Sequence, residues 1–268
     1  MGKQEYPVNF TENDSYLTSS DQKRSVLLNP SLTFFTKLFR IVINSGNMAK
    51  KGEYGPVEWV QSSFDIMKAL ESIGISIEVT GLHNILAFEG PAVFVSNHMS
   101  TLETVLLPSL IQPSKEVTFV VKQELLDYPY FGHILSARNP IVVGRSNPRE
   151  DLVHVMEQGT EYIKNGRSII IFPQRTRSNK FNAESFNTLG VKLAKKAGCH
   201  VVPLALVTDA WGNGKLIKEL GKIDTSKKVH ISFGKPFLVE STGAKEHLIV
   251  LDFIRDKLVE WKREDCIS

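Results

Sequence analysis

At 268 residues, with 42% apolar and 23% charged side chains, the chain is long enough to bury a full core and has the make-up of a folded protein, not of a disordered tail. Thirty-two Lys and Arg against 29 Asp and Glu leave a formal charge of +3, which excludes a strongly polybasic binder, and no nucleic-acid partner is expected. The two cysteines, Cys199 and Cys266, are too few for a disulfide scaffold or a four-thiolate zinc site, and Cys199 reads as a small buried hydrophobe, Cys266 as exposed.

Residues 1–25 are polar and are expected to be a flexible terminus. Across 31–49, Leu32, Phe35, Leu38, Phe39, Val42 and Ile43 recur at three- and four-residue spacing, interrupted by Lys37 and Arg40. That spacing predicts an amphipathic helix whose bulky face either covers the core or lies in a lipid interface. A second helix is predicted over 57–73, stopped by Gly74. Residues 26–74 therefore read as a helical segment ahead of an α/β domain over 75–268. No run approaches the roughly 18 apolar residues of a membrane span.

From residue 75 onward strands and helices alternate. Strands are predicted over 75–80, 91–95, 117–121, 141–143, 168–172, 201–206 and 229–233. A helix starts near Thr101, and others span 149–164, 187–197 and 243–262, with Pro148 and Gly198 as punctuation. The pattern predicts an α/β fold, a mostly parallel central sheet flanked by helices and preceded by an N-terminal helical hairpin or amphipathic helices. Such sheets carry their chemistry beyond the carboxyl ends of the strands.

Two groups of residues stand at such ends. Strand 91–95 runs into SNHMSTLE, which delivers Asn97 and His98 to the sheet edge, with Ser100 or Thr101 as helix cap. Glu103, five positions after His98, can hold one imidazole nitrogen if the histidine folds back over the first helical turn, leaving the other as a base. The bland alternative is an ordinary loop histidine. There is no GxSxG elbow, and the other histidines show no metal-ligand spacing, so a serine hydrolase is unsupported and no metal is expected. The second group follows strands 141–143 and 168–172. It includes Arg145, then Gln174, Arg175 and Arg177 in IFPQRTRS. From Ser136 to Lys180 there are eight basic residues against four acids, a local excess larger than the net charge of the whole chain. Arginine forks at two strand ends suit one phosphate, although a solvated basic loop has the same composition. Nucleotide loops of the GxxxxGK[ST] and GxGxxG kinds are absent. Trp211, in the loop 209–215, is the tryptophan most suited to touch a ligand or lipid.

Together these blocks resemble the glycerolipid acyltransferase family that includes the 1-acylglycerol-3-phosphate acyltransferases. NHMSTLE (97–103) resembles the family's NHxSxxD block, PIVVGR (140–145) its second, FPQRTRS (172–178) its FPEGTRS block, and VVPLAL (201–206) its fourth. The resemblance spans about residues 75–235 and implies transfer of a fatty acyl group from acyl-CoA or acyl carrier protein, as co-substrate and with no cofactor, to the hydroxyl of a phosphate-bearing lysolipid. It implies that His98 is the general base and Glu103 its orienting acid. Arg145 and Arg177 would hold the acceptor's phosphate, with Asn97, Gln174 and Arg175 beside it, and Pro203 would shape the acyl site. Partnership with a membrane surface through the first helix, at the cytoplasmic face, is expected; the oligomeric state is not legible. Two departures stand out. Glu103 replaces the family's Asp, and Gln174–Arg175 replaces Glu–Gly, which points to an acceptor head different from or larger than that of simple lysophosphatidic acid. The competing readings are a thioester or lipid hydrolase using the same His–acid pair, and a catalytically silent lipid-binding protein.

Overall fold

The computed structural model describes residues 5–21, 29–214 and 218–268. Its centre is an eight-stranded sheet made of β1 (Ser15–Leu17), β2 (Ile77–Thr80), β3 (Ala92–Ser96), β4 (Val117–Lys122), β5 (Ile141–Val143), β6 (Ser168–Ile171), β7 (His200–Val207) and β8 (Val229–Phe233). The strand order is β1-β2-β8-β7-β3-β6-β4-β5. Among these eight strands, β1–β2 and β7–β8 pair antiparallel and the other neighbours pair parallel. The expected α/β class and mostly parallel sheet are thus observed. Strands β3 (AVFVS) and β6 (SIII) are buried along their whole length, which is why they read as unbroken apolar runs and not as alternation.

Among the described residues, seven α-helices pack around the sheet: α1 (Pro30–Lys50), α2 (Pro56–Ser72), α3 (Leu102–Ile111), α4 (Phe131–Ala137), α5 (Pro148–Lys164), α6 (Leu189–Ala197) and α7 (Ala244–Glu260). The two-residue period of a strand divides β3 between two cores. Ala92 and Phe94 join the core under α1 to α4, with Phe34, Leu70 and Leu107. Val93 and Val95 join the opposite core under α5 to α7, with Val155, Leu193 and Ile254. Gly190 lets α6 lie close on this face, since a Cβ there would stand 2.5 Å from Val95 Cγ2.

Local chemistry sets the helix ends. Asn29 Oδ1 accepts from the Ser31 and Leu32 N–H groups at 2.9 and 3.3 Å, and Pro30 occupies the first turn of α1. Glu58 reaches back to the Gly55 N–H at 2.8 Å to open α2. Gly198, at φ +67°, closes α6 in the left-handed conformation that glycine adopts without strain.

Several expectations need correction. Residues 15–17, placed in a flexible terminus over 1–25, form edge strand β1, and Glu71 at the end of α2 anchors it. Its buried carboxylate accepts from Tyr16 Oη at 2.5 Å and Thr18 Oγ1 at 2.7 Å and pairs with Lys68 at 2.8 Å. The expected terminus and helical segment also include 22–28, which lie outside the described residues. Helix α4 has no counterpart in the sequence reading; seven residues are too few to establish a period. Cys266 is buried, because the turn at 264–266 folds against Phe181. Trp211 is 2% exposed and meets Phe34 and Phe35 edge-on, at 5.1 and 5.7 Å between ring centroids, so it is a core residue.

Helix α1 divides its apolar residues. Phe34 and Leu38 are buried against the domain, while Leu32, Phe39 and Ile43 are 68%, 47% and 40% exposed. The inner face predicts a stability contrast. Phe34→Ala, which empties a fully buried aromatic site, should cost about 3–5 kcal/mol. Leu32→Ala on the outer face should stay within about 0.5 kcal/mol. Urea denaturation of both variants checks the difference, and equal losses would contradict the division.

Candidate active site

Strands β3, β6 and β7 end at one edge of the sheet, and their exit loops carry the candidate site. After Ser96 the chain turns through Asn97–Thr101 into α3. Asn97 is buried and clamps β7 across the gap: its Nδ2 donates to the Leu206 carbonyl at 2.8 Å and its Oδ1 accepts from the Leu206 N–H at 2.9 Å. That clamp fixes the turn carrying His98. The imidazole Nδ1 lies 2.8 Å from Glu103 Oε1, so the structure brings together the two residues that the sequence paired. The ring stacks on Phe172, at 4.3 Å and 15° between planes, and its side chain is 19% exposed. Phe172, at the exit of β6, had no signal beyond an apolar strand end.

Glu103 is the most heavily bonded acid of the site. Its side chain is fully buried. Oε1 accepts from the Met99 and Ser100 N–H groups at 2.7 and 2.9 Å in addition to His98. Oε2 accepts from Thr208 Oγ1 at 2.6 Å and lies 3.1 Å from Ser100 Oγ. Burial pushes its pKa up, but His98, Thr208 and Ser100 outweigh that push and leave it below the ordinary carboxylate value. The carboxylate is therefore ionised, and at that Nδ1 contact the imidazole is the donor. With Nδ1–H held, Nε2 is the nitrogen with a free lone pair. Ser100 Oγ also caps the Leu102 N–H at 3.1 Å, as its sequence position suggested. Thr208, at the end of β7, was missed because its partner is more than a hundred residues away in the chain.

The arginines are placed differently from one another. Gly144 and Arg145 follow β5, and Asp151 Oδ1 and Oδ2 accept from their N–H groups at 3.0 and 2.8 Å. That brace holds Arg145 at φ +60°, a left-handed conformation that costs a non-glycine residue. The Arg145 guanidinium donates to the Arg175 carbonyl, and the Arg175 side chain is exposed. Arg177 donates to Thr101 Oγ1 and pairs with Glu219 Oε1. The Tyr128 phenol lies beside this pair; burial first, then the charge of Glu219, raises its pKa. Arg145, Arg175 and Arg177 thus stand on the loops that leave β5 and β6.

Two residues expected at a phosphate are engaged elsewhere. Asn97 is the strand clamp. Gln174, 8% exposed, accepts from the His98 N–H at 2.5 Å and so supports the histidine's own backbone. A neutral amide oxygen accepts that bond as a carboxylate would, which explains why Gln is tolerated there. Pro203 is buried within β7, in register with Val95 of β3, and its carbonyl accepts from the Gly234 N–H at 2.7 Å. Among the described residues no group of three or more His, Cys, Asp or Glu side chains is placed to hold a metal ion, and no helix is long and apolar enough to cross a membrane.

Comparison with known proteins bears out the resemblance read from the sequence blocks. Residues 76–207 match the Acyltransferase family. A 1-acyl-sn-glycerol-3-phosphate acyltransferase of Pseudomonas aeruginosa is 40% identical over 132 residues, 49% of this chain and 49% of its own. A chloroplastic 1-acyl-sn-glycerol-3-phosphate acyltransferase of Arabidopsis thaliana is 33% identical over 156 residues, 57% of this chain and 42% of its own. The chain thus spans about half the length of the curated relatives it matches. The solved 1-acyl-sn-glycerophosphate acyltransferase of Thermotoga maritima shares the fold, with a TM-score of 0.67 and 20% identity over 87% of this chain and 95% of its own.

The Glu103 cage predicts a pH signature. Its folded-state pKa is depressed, so the stabilisation it supplies is present above the ordinary value of 4.5 and is lost as pH falls through the lower folded value. Glu103→Gln sets an amide NH2 among donors and should cost roughly 3 kcal/mol near neutrality. The gap between wild type and Glu103→Gln should narrow below pH 4.5. Chemical denaturation at pH 7 and at pH 4 measures it, and a gap independent of pH would contradict an ionised Glu103.

Proposed function

With residues 76–207 matched to the Acyltransferase family, we propose that this chain transfers a fatty acyl group from an acyl thioester to the free hydroxyl of a phosphate-bearing lysolipid of the lysophosphatidic acid kind. The observation that carries the reading is the His98–Glu103 pair at the carboxyl edge of the sheet, held at 2.8 Å and flanked by the arginines of the β5 and β6 exits.

In this reading the acceptor hydroxyl donates its hydrogen bond to His98 Nε2. As its oxygen attacks the thioester carbonyl, His98 takes the proton, and the buried Glu103 carboxylate stabilises the imidazolium that forms. The tetrahedral intermediate collapses with cleavage of the carbon–sulfur bond. His98 returns its proton to the departing thiolate, so no acyl-enzyme forms. Arg145 and Arg177, with the exposed Arg175, hold the acceptor's phosphate. The donor is acyl-CoA or acyl carrier protein. Holding donor and acceptor together supplies much of the rate advantage. Gln174 serves the reaction by fixing the His98 backbone.

A product screen by mass spectrometry tests the activity. The purified chain is offered acyl-CoA or acyl carrier protein with a panel of lysolipids. An acylated phosphate-bearing lysolipid, with the head of lysophosphatidic acid or a larger anionic one, is the expected product; thioester hydrolysis indifferent to every acceptor would favour the hydrolase instead. His98→Ala should lower kcat by roughly a thousandfold while the circular dichroism spectrum stays unchanged. Near-normal turnover would remove His98 from the mechanism.

The same reading seats α1 on a bilayer. Leu32, Phe39 and Ile43 are exposed on α1, and Lys37, Arg40 and Lys68 line the groove between α1 and α2. Apolar side chains beside cations suit an interfacial helix on anionic lipid. Phe39→Asp with Ile43→Asp should leave the fold intact and abolish flotation with phosphatidylglycerol-containing vesicles. Undiminished flotation would move the membrane contact elsewhere.

A further inference from the structure

We infer that Glu219 is an internal counter-anion that competes with the acceptor's phosphate for Arg177, and so sets how tightly phosphate-bearing ligands are held. This rests on the acyltransferase reading of the site. The side chains of Arg177 and Glu219 are 15% and 22% exposed, so the pair is neither sealed in the core nor free in solvent, and an arriving anion can reach it. Thr101, which accepts the other arm of the Arg177 fork, lies three residues beyond His98. The Ser178 N–H, next in the chain to Arg177, donates to the His98 carbonyl at 2.9 Å. The guanidinium is therefore drawn up beside the histidine, with one arm already occupied by a carboxylate.

An arginine fork donates to phosphate oxygens and to carboxylate oxygens in the same geometry. A phosphate monoester arriving at Arg177 must displace the Glu219 carboxylate or bind beside a like charge. Either outcome weakens the phosphate and leaves a ligand without phosphate untouched. Glu219 is well fixed for this role. Trp211 Nε1 donates to its backbone carbonyl at 3.0 Å, and Trp211 is itself buried against Phe34 and Phe35. Lys218, the preceding residue, places Nζ 3.4 Å from Thr176 Oγ1, so a cation stands near the same loop to receive the anion that takes Arg177. The chemistry gives the competition a use. Acyl transfer leaves the phosphate on the product, so an unopposed guanidinium would hold product as firmly as acceptor. A resident carboxylate reclaims Arg177 as the product leaves, and release is a step that commonly limits turnover.

Titration calorimetry with the full chain tests this. The ligands are monohexanoyl lysophosphatidic acid, monohexanoylglycerol, which lacks the phosphate, and inorganic phosphate. Glu219→Gln should bind the lysophosphatidic acid roughly fivefold more tightly than wild type. Inorganic phosphate should gain in the same direction, and monohexanoylglycerol should not change. Glu219→Asp, which keeps the charge, should stay near wild type, and in an Arg177→Ala background Glu219→Gln should no longer tighten the binding of lysophosphatidic acid. Weaker or unchanged lysophosphatidic acid binding by Glu219→Gln would overturn the inference and leave Glu219 as a support for Arg177. A parallel transfer assay keeps the two questions apart. Failure of every variant to acylate the lysolipid would sink the proposed activity, while the binding series would still report on Glu219.

Discussion

A charge removed from water must be surrounded by donors, and in this protein that requirement falls on Glu103. A fully buried carboxylate costs several kcal/mol to desolvate unless its oxygens are satisfied. Here the partners come from the turn after β3 (His98, Met99, Ser100) and from the end of β7 (Thr208). The carboxylate can be housed only where those two strands are neighbours. The strand order that puts β7 beside β3, and the Asn97 clamp on Leu206, are conditions for an ionised Glu103 and thus for an imidazole with one nitrogen held and the other open.

The other constraints propagate from that point. Thr208 is followed by Asp209, a nearly buried acid held by Lys227 at 2.6 Å and by both arms of Arg263 at 3.0 and 2.8 Å. The end of β7 is therefore pinned from the β8 side and from the C-terminal turn at once. On the other side of His98, Phe172 supplies a flat apolar wall, and Gln174 closes the backbone of the turn. The histidine is packed on these sides, and the exposed side of its ring is where, in the proposed reaction, the acceptor hydroxyl would approach.

Much of this was legible in the sequence, and what was not follows a physical pattern. The strands announced themselves because buried parallel strands are apolar throughout, as SIII and AVFVS are. His98 and Glu103 were legible because five residues of turn and helix bring them together with no help from elsewhere. Strand order left no local trace, so neither Thr208 nor Glu219 was foreseen. Gln174 and Asn97 were assigned to substrate because polar residues at a strand end look the same whether they face a ligand or a neighbouring backbone. Only the partner's position, the His98 N–H or the Leu206 peptide, tells the two apart. Strand β1 escaped for a related reason: three residues in a polar stretch have no pattern of their own, and their order comes from β2 and from the Glu71 carboxylate.

The N-terminal helices are joined to the chemistry by the same core. The sequence reads as a helical segment over 26–74 ahead of a separate α/β domain. In the structure Phe34 and Leu38 share one hydrophobic core with Phe94 of β3 and Trp211 beyond β7. Trp211 makes T-shaped contacts with Phe34 and Phe35 of α1, and its indole N–H donates to the backbone carbonyl of Glu219. Glu219 in turn holds Arg177. A displacement of α1 therefore has a short, wholly packed route to a charged group at the site: one aromatic contact, one hydrogen bond and one ion pair. Under the proposed function, that path would join a helix that meets lipid to an arginine that meets the acceptor's phosphate. The outer face of α1, with Leu32, Phe39 and Ile43 left uncovered, is where a surface would act on that path.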